Sequence, residues 1–273
     1  MSHNNMNYWH DKVAIVTGGS AGLGLAIAQS LGQQRAKVVI AARREEGLER
    51  ARMHLEALGY PVVTEIVDVT QDDDVQRLVQ NTLERYERLD LMVNNAGRSM
   101  RSEVIRTTPD QFRELMELNL LGVVRCSQAA VPHLLSTGGH LVNIGSLASK
   151  SVAPYLGAYP ATKFAVAAYT HQLRLELAPQ GVHVLLVCPG PIHREDSETR
   201  YSIETSGLPE QAKKPGAGVR VRRIKAHDLS EKILQACRHR QPEVVVPGKA
   251  RWLFAISQLA PRCGDWLLQR FTR

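Results

Sequence analysis

Three side chains in the middle of the chain have the chemistry to move a proton. Tyr159 and Lys163 lie four positions apart, so a helix would bring them to one face. Ser146 follows an apolar run, His140–Gly145, that reads as a buried strand, and a hydroxyl at that strand's end could meet them. A phenol in such a setting could donate a proton to, or take one from, a reacting group. Its reference pKa of ~10 is too high for easy exchange near neutrality; bringing it to ~7 takes ~4 kcal/mol in favour of the phenolate. A lysine ammonium at ~4 Å contributes about that much at an effective dielectric of ~20. The tyrosine–lysine spacing alone is common, so the surrounding elements must give the proton somewhere to go.

Those elements alternate. Strands are predicted at 12–17, 36–42, 62–67, 89–95, 141–145, 182–188 and 244–246, with helices between them, including 45–58, 70–86, 109–135, 159–177 and 230–238. The strands are apolar on both faces, which indicates a parallel sheet covered on two sides. Right-handed crossovers make it a single doubly wound α/β (Rossmann) domain over residues 12–250 with about seven strands. Residues 1–11 read as a polar tail, 193–227 as a long polar loop, and 251–273 as an apolar and arginine-rich end segment.

The 273 residues carry 34 Lys and Arg against 27 Asp and Glu, a net charge of +7 with pI near 9.4. That balance permits anionic ligands or membrane surfaces without identifying one. Cys126, Cys188, Cys237 and Cys263 are scattered, which disfavours a disulfide frame or a metal site, so no metal is expected. The first residues have no apolar core like that of a signal peptide, and no run of ~18 apolar residues appears. The expected compartment is cytoplasmic and reducing. No nucleic-acid motif accompanies the charge.

Thr17-Gly-Gly-Ser-Ala-Gly-Leu-Gly24 sits between the first strand and an apolar helical pattern. Glycines there permit a tight turn and let backbone N–H groups approach a pyrophosphate. The second strand ends in Ala42, Arg43 and Arg44, with no acidic residue to bind a ribose diol. Guanidinium groups pair well with phosphate, so NADP(H) is the expected cofactor, with Arg43 as main contact and Arg44 and Ser20 as helpers.

With its glycines at G-x-x-x-G-x-G, the chain resembles the short-chain dehydrogenase/reductase family in its classical branch over residues 11–250. The marks are TGGSAGLG, Asp68, NNAG at 94–97, Asn119, Ser146, YPATK at 159–163 and PG at 189–190. The resemblance implies a catalytic set of Asn119, Ser146, Tyr159 and Lys163. It places cofactor at Gly18, Gly22, Leu23 and Gly24, at Asp68 and Val69, and at Asn95, Ala96 and Gly97. Tyr159 and Lys163 would also touch it, and the turn of Pro189, Gly190 and Ile192 would fix the nicotinamide. Family members often carry threonine where this chain has Arg194. A homodimer or homotetramer through the long helices is also implied.

The loop at 193–227 occupies the family's lid position and holds Lys213, Lys214, Arg220, Arg222, Arg223 and Lys225. Its cations either attract an anionic substrate or simply face water. The 251–273 segment caps the cleft, packs on another subunit, or lies at a membrane surface as a peripheral contact that would favour a lipid-like substrate; packing or capping is favoured. The expected activity is interconversion of a carbonyl and an alcohol with NADP(H), Tyr159 being the general acid/base. The rival is a catalytically silent NADP(H)-binding redox sensor; the presence of all four reacting residues favours the enzyme.

Overall fold

A computed structural model describes residues 8–193, 205, 207–213 and 223–272. Seven strands form one sheet: β1 (Val13–Thr17), β2 (Lys37–Ala42), β3 (Val62–Ile66), β4 (Leu91–Asn94), β5 (His140–Ile144), β6 (His183–Pro189) and β7 (Glu243–Val246). Their order is β3-β2-β1-β4-β5-β6-β7, and every neighbouring pair is parallel. The expected Rossmann architecture is therefore present.

The central strands are buried on both faces because most of their positions are apolar, while β3 at the sheet edge is only partly covered. Ala14 and Val16 point into one core with Ile27 and Leu31 of α1 (Gly22–Gln33) and Ile233 of α8 (Ala226–Arg238). Val13 and Ile15 point into the other with Leu78 of α3 (Asp72–Tyr86) and Leu134 of α5 (Gly122–Thr137). α2 (Glu45–Ala57) covers the first face, and α6 (Tyr159–Leu177) sends Leu177 into the second core. Burial of both faces, at ~25 cal/mol per Å² of apolar surface, stabilises the sheet whose carboxyl ends carry the site loops.

The helix read as continuous from Pro109 is not regular. α4 (Pro109–Met116) gives way to a π turn at Glu117–Leu121 before α5 begins. A π turn fits an extra residue into the helix, and here it swings Asn119 fully inward. Gly122 follows because a Cβ there would come within 2.8 Å of Val69 Cγ2.

Behind the strands, polar side chains tie helices to sheet. Asn94 Nδ2 donates to Asn143 Oδ1 at 2.8 Å and to Ser127 Oγ at 3.1 Å, and Asn143 Nδ2 donates to Thr170 Oγ1 at 3.0 Å. β4, β5, α5 and α6 are thereby fixed to one another close to Ser146 and Tyr159.

At the opposite end of the sheet, residues 8–11 of the segment read as a polar tail pack down, and Trp9 is only 1% exposed. Tyr8 Oη lies 2.7 Å from His140 Nε2, His140 Nδ1 lies 3.0 Å from His183 Nδ1, and His183 Nε2 lies 2.8 Å from the Gln241 carbonyl. A carbonyl only accepts, so His183 carries its proton on Nε2 and accepts at Nδ1 from His140. His140 then accepts from the Tyr8 hydroxyl. Cys237 lies near enough to complete a three-ligand set, but both imidazoles are already committed to hydrogen bonds. Cys126, Cys188 and Cys237 are buried free thiols, and Cys263 is exposed.

Burial, then the neighbouring His183, pushes His140 down to about 3, and burial pushes His183 down as well. Below ~6.5 the unfolded chain binds protons that these folded imidazoles refuse, so stability falls as pH drops from there toward 3. The expected slope is about 1.4 kcal/mol per pH unit for His140, with His183 adding in the same direction. Urea unfolding at a series of pH values should give a shallower acid slope for His140→Gln/His183→Gln than for the parent.

Candidate functional site

The order of strands reverses between β1 and β4, which opens a crevice above their carboxyl ends. The loop after β1 enters it with Gly18 at φ +63°, a left-handed conformation that glycine adopts without strain. Gly22 opens α1 at φ +56°. Gly24 lets helix and loop touch: a Cβ there would be 2.2 Å from the Gly18 carbonyl oxygen. Ala21 occupies the N-cap of α1 and offers no side-chain acceptor, so the helix's first N–H groups keep their capacity for an anion.

The loop after β4 is stitched to this turn. Asn95 Nδ2 donates to the carbonyls of Thr17 at 3.0 Å and Gly18 at 3.1 Å. Thr17 Oγ1 in turn accepts from the backbone N–H of Asn95 and Ala96. Asn95 thus shapes the glycine loop, a role its sequence position alone did not announce.

A cavity of about 950 Å³ runs along the crevice. Of the residues expected at a cofactor, Gly18, Ser20, Leu23, Arg43, Arg44 and Val69 line it at one end. Asn95, Ala96 and Gly97 line its middle. Tyr159, Lys163, Pro189, Gly190 and Ile192 line the other end with Ser146. Gly22, Gly24 and Asp68 do not form its wall. Asp68 accepts from Thr70 N–H and Oγ1 through Oδ1, and its Oδ2 stands 3.9 Å from Arg43 Nη1.

Around the reacting set the geometry is tight. β5 ends at Ile144, and its carbonyl accepts from Lys163 Nζ at 2.8 Å. Lys163 and Tyr159 are one helical turn apart at the start of α6, which places Nζ 5.9 Å from the tyrosine ring centroid. Pro160 falls in that first turn, where a missing N–H breaks no hydrogen bond. Ser146 heads a short 3₁₀ turn, and its Oγ accepts from Ala148 N–H at 3.1 Å. Asn119 lies outside the cavity wall. Its Nδ2 donates to the Arg98 carbonyl at 2.9 Å and to Thr162 Oγ1 at 3.0 Å, and its Oδ1 accepts from Arg98 N–H at 3.0 Å. Gly97 passes between: a Cβ there would be 2.9 Å from Asn119 Oδ1 and 3.8 Å from Lys163 Nζ.

Sequence reasoning missed several wall residues. Arg98, Ser99 and Arg101 follow the NNAG stretch, and Leu147, Val152 and Leu156 follow Ser146. Only their closeness in sequence to the motifs hinted at them. Leu253, Phe254 and Leu268 come from α9 (Ala250–Leu259) and α10 (Pro261–Thr272), so the end segment does wall the cleft. The two ends of the 193–227 loop meet, Ile224 N–H donating to the Pro191 carbonyl and His193 N–H to the Ile224 carbonyl. Within that loop, α7 (Glu210–Lys213) buries Ala212, whose carbonyl accepts from Arg101 Nε at 3.0 Å. Lys213 pairs with Glu210. Arg194, Lys214, Arg220 and Arg222 lie outside the described residues.

The family model for short chain dehydrogenases matches residues 12–202. The chain belongs to the short-chain dehydrogenase/reductase family of oxidoreductases, which use nicotinamide cofactors. It is 29% identical over 265 residues to a dehydrogenase/reductase SDR family protein 7-like of Drosophila melanogaster, covering 95% of this chain and 80% of that one. It is 36% identical over 235 residues to the glycine betaine reductase ATRR of Emericella nidulans, covering 86% of this chain and 18% of that one. Among solved structures, a variant of actinorhodin polyketide ketoreductase with NADPH superposes with a TM-score of 0.78 at 29% identity, covering 86% of this chain and 95% of that one. L-sorbose reductase from Gluconobacter frateurii, complexed with NADPH and L-sorbose, gives 0.77 at 25% identity, covering 88% and 96%.

Burial drives the Lys163 ammonium down to about 8. Between that value and the ordinary ~10.5, the unfolded chain holds a proton the folded one has released, so the destabilisation from burying this charge is present below 8 and relieved as pH rises. Lys163→Met removes that dependence. The stability of the variant minus that of the parent, from urea melts, should decrease between pH 8 and pH 10 by up to about 1.4 kcal/mol per unit.

Proposed function

We propose that the chain is an NADP(H)-dependent oxidoreductase that interconverts a ketone or aldehyde and an alcohol, Tyr159 handling the proton. The observation that carries this reading is the buried Lys163 ammonium, anchored on the Ile144 carbonyl at 2.8 Å with the Tyr159 ring beside it in the cavity. In the reducing direction R₂C=O, NADPH and H⁺ become R₂CHOH and NADP⁺. A bound nicotinamide dinucleotide supplies the hydride in that direction and accepts it in the other.

Every remaining step falls to side chains of the chain itself. Tyr159 gives its phenolic proton to the carbonyl oxygen as hydride arrives at carbon. Lys163 Nζ lies 5.9 Å from the ring centroid, and a cation ~4–6 Å from a phenolate oxygen favours it by about 3–4 kcal/mol at an effective dielectric of ~20, close to the ~4 kcal/mol this chemistry needs. The Ser146 oxygen is occupied as an acceptor by Ala148 N–H, which leaves its O–H to donate to the substrate oxygen and stabilise charge there. Asn119 spends its side-chain amide holding Arg98 and Thr162, so it acts as a positioning residue for the Gly97 turn beside Lys163.

The uncapped start of α1 and the bend at Gly18 fit a pyrophosphate. Arg43 and Arg44 at the end of β2 fit a 2′-phosphate, and Arg43 is well exposed for it beside Asp68. The ketoreductase and the sorbose reductase, both crystallised with NADPH, support that choice. Leu121, Phe164 and Leu175, exposed on the helices around the site, suit a homodimer or homotetramer.

A screen of NADPH oxidation over carbonyl compounds of varied size and charge should find turnover that Tyr159→Phe lowers by at least about a hundredfold. A variant as active as the parent contradicts the mechanism. Arg43→Ala should weaken NADPH binding by roughly tenfold or more and leave NADH binding nearly unchanged. A parent that prefers NADH contradicts the cofactor assignment.

A further inference from the structure

α9 and α10 wall the cleft with one side and face outward with another. Leu253, Phe254 and Leu268 line the cavity, and Phe254 also packs on Leu186 and Val245 of the sheet. Outward, Trp252 is 76% exposed, Leu259 87% and Trp266 58%. Trp252, Ile256 and Leu259 recur at the four- and three-residue spacing that keeps side chains on one helix face. On α10, Arg262, Trp266 and Arg270 share a face in the same way, with the Arg270 guanidinium 5.6 Å from the Trp266 ring.

The two helices are held as a unit. Ala260 and Pro261 end one and begin the other, and Gly264 packs on Ser257 so closely that a Cβ would lie 2.6 Å from its Cα. Among the described residues from 249 on, the charged side chains are Lys249, Arg251, Arg262 and Arg270 against Asp265 alone. Arg251 also reaches Glu243. Exposed tryptophan and leucine flanked by cations is the composition that settles at a lipid–water boundary, where indole prefers the headgroup level.

We infer that α9 and α10 dock the protein on an anionic lipid bilayer, and that the cleft they wall takes an amphiphilic carbonyl compound or alcohol from that surface. Charge selects the occupant: a second copy of the same face would bring arginines against arginines, whereas an anionic headgroup layer meets them with the opposite sign. Each cation near such a surface raises partition roughly fivefold. The continuity of the outer face with the cavity wall gives the apolar part of a substrate a short path from bilayer to Leu253, Phe254 and Leu268. The substrate class rests on the oxidoreductase reading above; the docking does not.

The three tryptophans make the test simple, because Trp9 is buried and only Trp252 and Trp266 can report contact. The full chain is mixed with phosphatidylcholine vesicles, with and without about 30 mol% phosphatidylserine, and followed by sedimentation and tryptophan emission. Docking predicts that protein pellets with the anionic vesicles, that emission moves to the blue, and that Trp252→Ala/Trp266→Ala lowers partition at least about tenfold. Absence of pelleting and of the emission shift overturns it. So does a self-association, seen by sedimentation velocity, that the same variant abolishes while neither protein binds vesicles, since the face then belongs to a second copy.

For the substrate class, NADPH oxidation is compared with a long-chain 2-alkanone in vesicles and a short water-soluble ketone. The double variant should lose most turnover of the first and retain that of the second. Equal loss, or none, overturns delivery from the bilayer. Failure of both ketones with the parent removes the substrate class along with the oxidoreductase reading, and the vesicle result still decides the docking.

Discussion

A buried ammonium is the constraint around which the site is built. Lys163 is taken out of water at the head of α6, and burial alone pushes it toward its neutral form. What offsets that cost is the Ile144 carbonyl, the last main-chain acceptor of β5, at 2.8 Å. The bond fixes α6 against the end of a strand, and Tyr159, one turn away, is fixed with it. The arrangement has a chemical reason: a cation this poorly solvated acts strongly on a neighbouring phenol, and would act weakly if water screened it.

The neighbouring loops are held by hydrogen bonds of their own. Gly97 lacks a side chain because a Cβ would press on Asn119 Oδ1 at 2.9 Å, and Asn119 holds that turn beside Lys163 with three hydrogen bonds to Arg98 and Thr162. Asn119 reaches it only because the helix widens into a π turn. One loop earlier, Asn95 clamps the glycine turn after β1. Two asparagines thus tie the glycine turn after β1 and the Gly97 turn beside Lys163 into one crevice, and the parallel sheet supplies the floor on which both turns meet.

Much of this was legible in the residues. Largely apolar strands required a parallel sheet covered on both sides, and one is present; the strand order itself came only from the structure. α6 was read with its observed bounds, since Ala158 and Pro160 mark a start and Leu177 an end to one periodic pattern. The π turn was not legible, because apolar spacing barely changes when one residue is added to a helix, and Asn119 looks like any polar position. The packing of Trp9 was hidden by polar neighbours, and the hydrogen bonds of Tyr8, His140 and His183 join segments more than forty residues apart. In the crevice, cavity-lining residues such as Arg101 and Phe254 depend on long-range folding that no local spacing reveals. The asparagine clamp at Asn95 was masked by its motif, which suggested contact with a ligand where the side chain instead holds backbone.

The central claim is that hydride and proton meet at one carbonyl above β5. The most direct measurement uses NADPH deuterated at the transferring C4 position with a ketone that the protein turns over, and locates the label in the product by mass spectrometry and NMR. One deuterium on the carbinol carbon of the alcohol is the predicted result. NADPH consumed without a deuterated alcohol, or label lost to water, would contradict direct transfer and with it the account of the site.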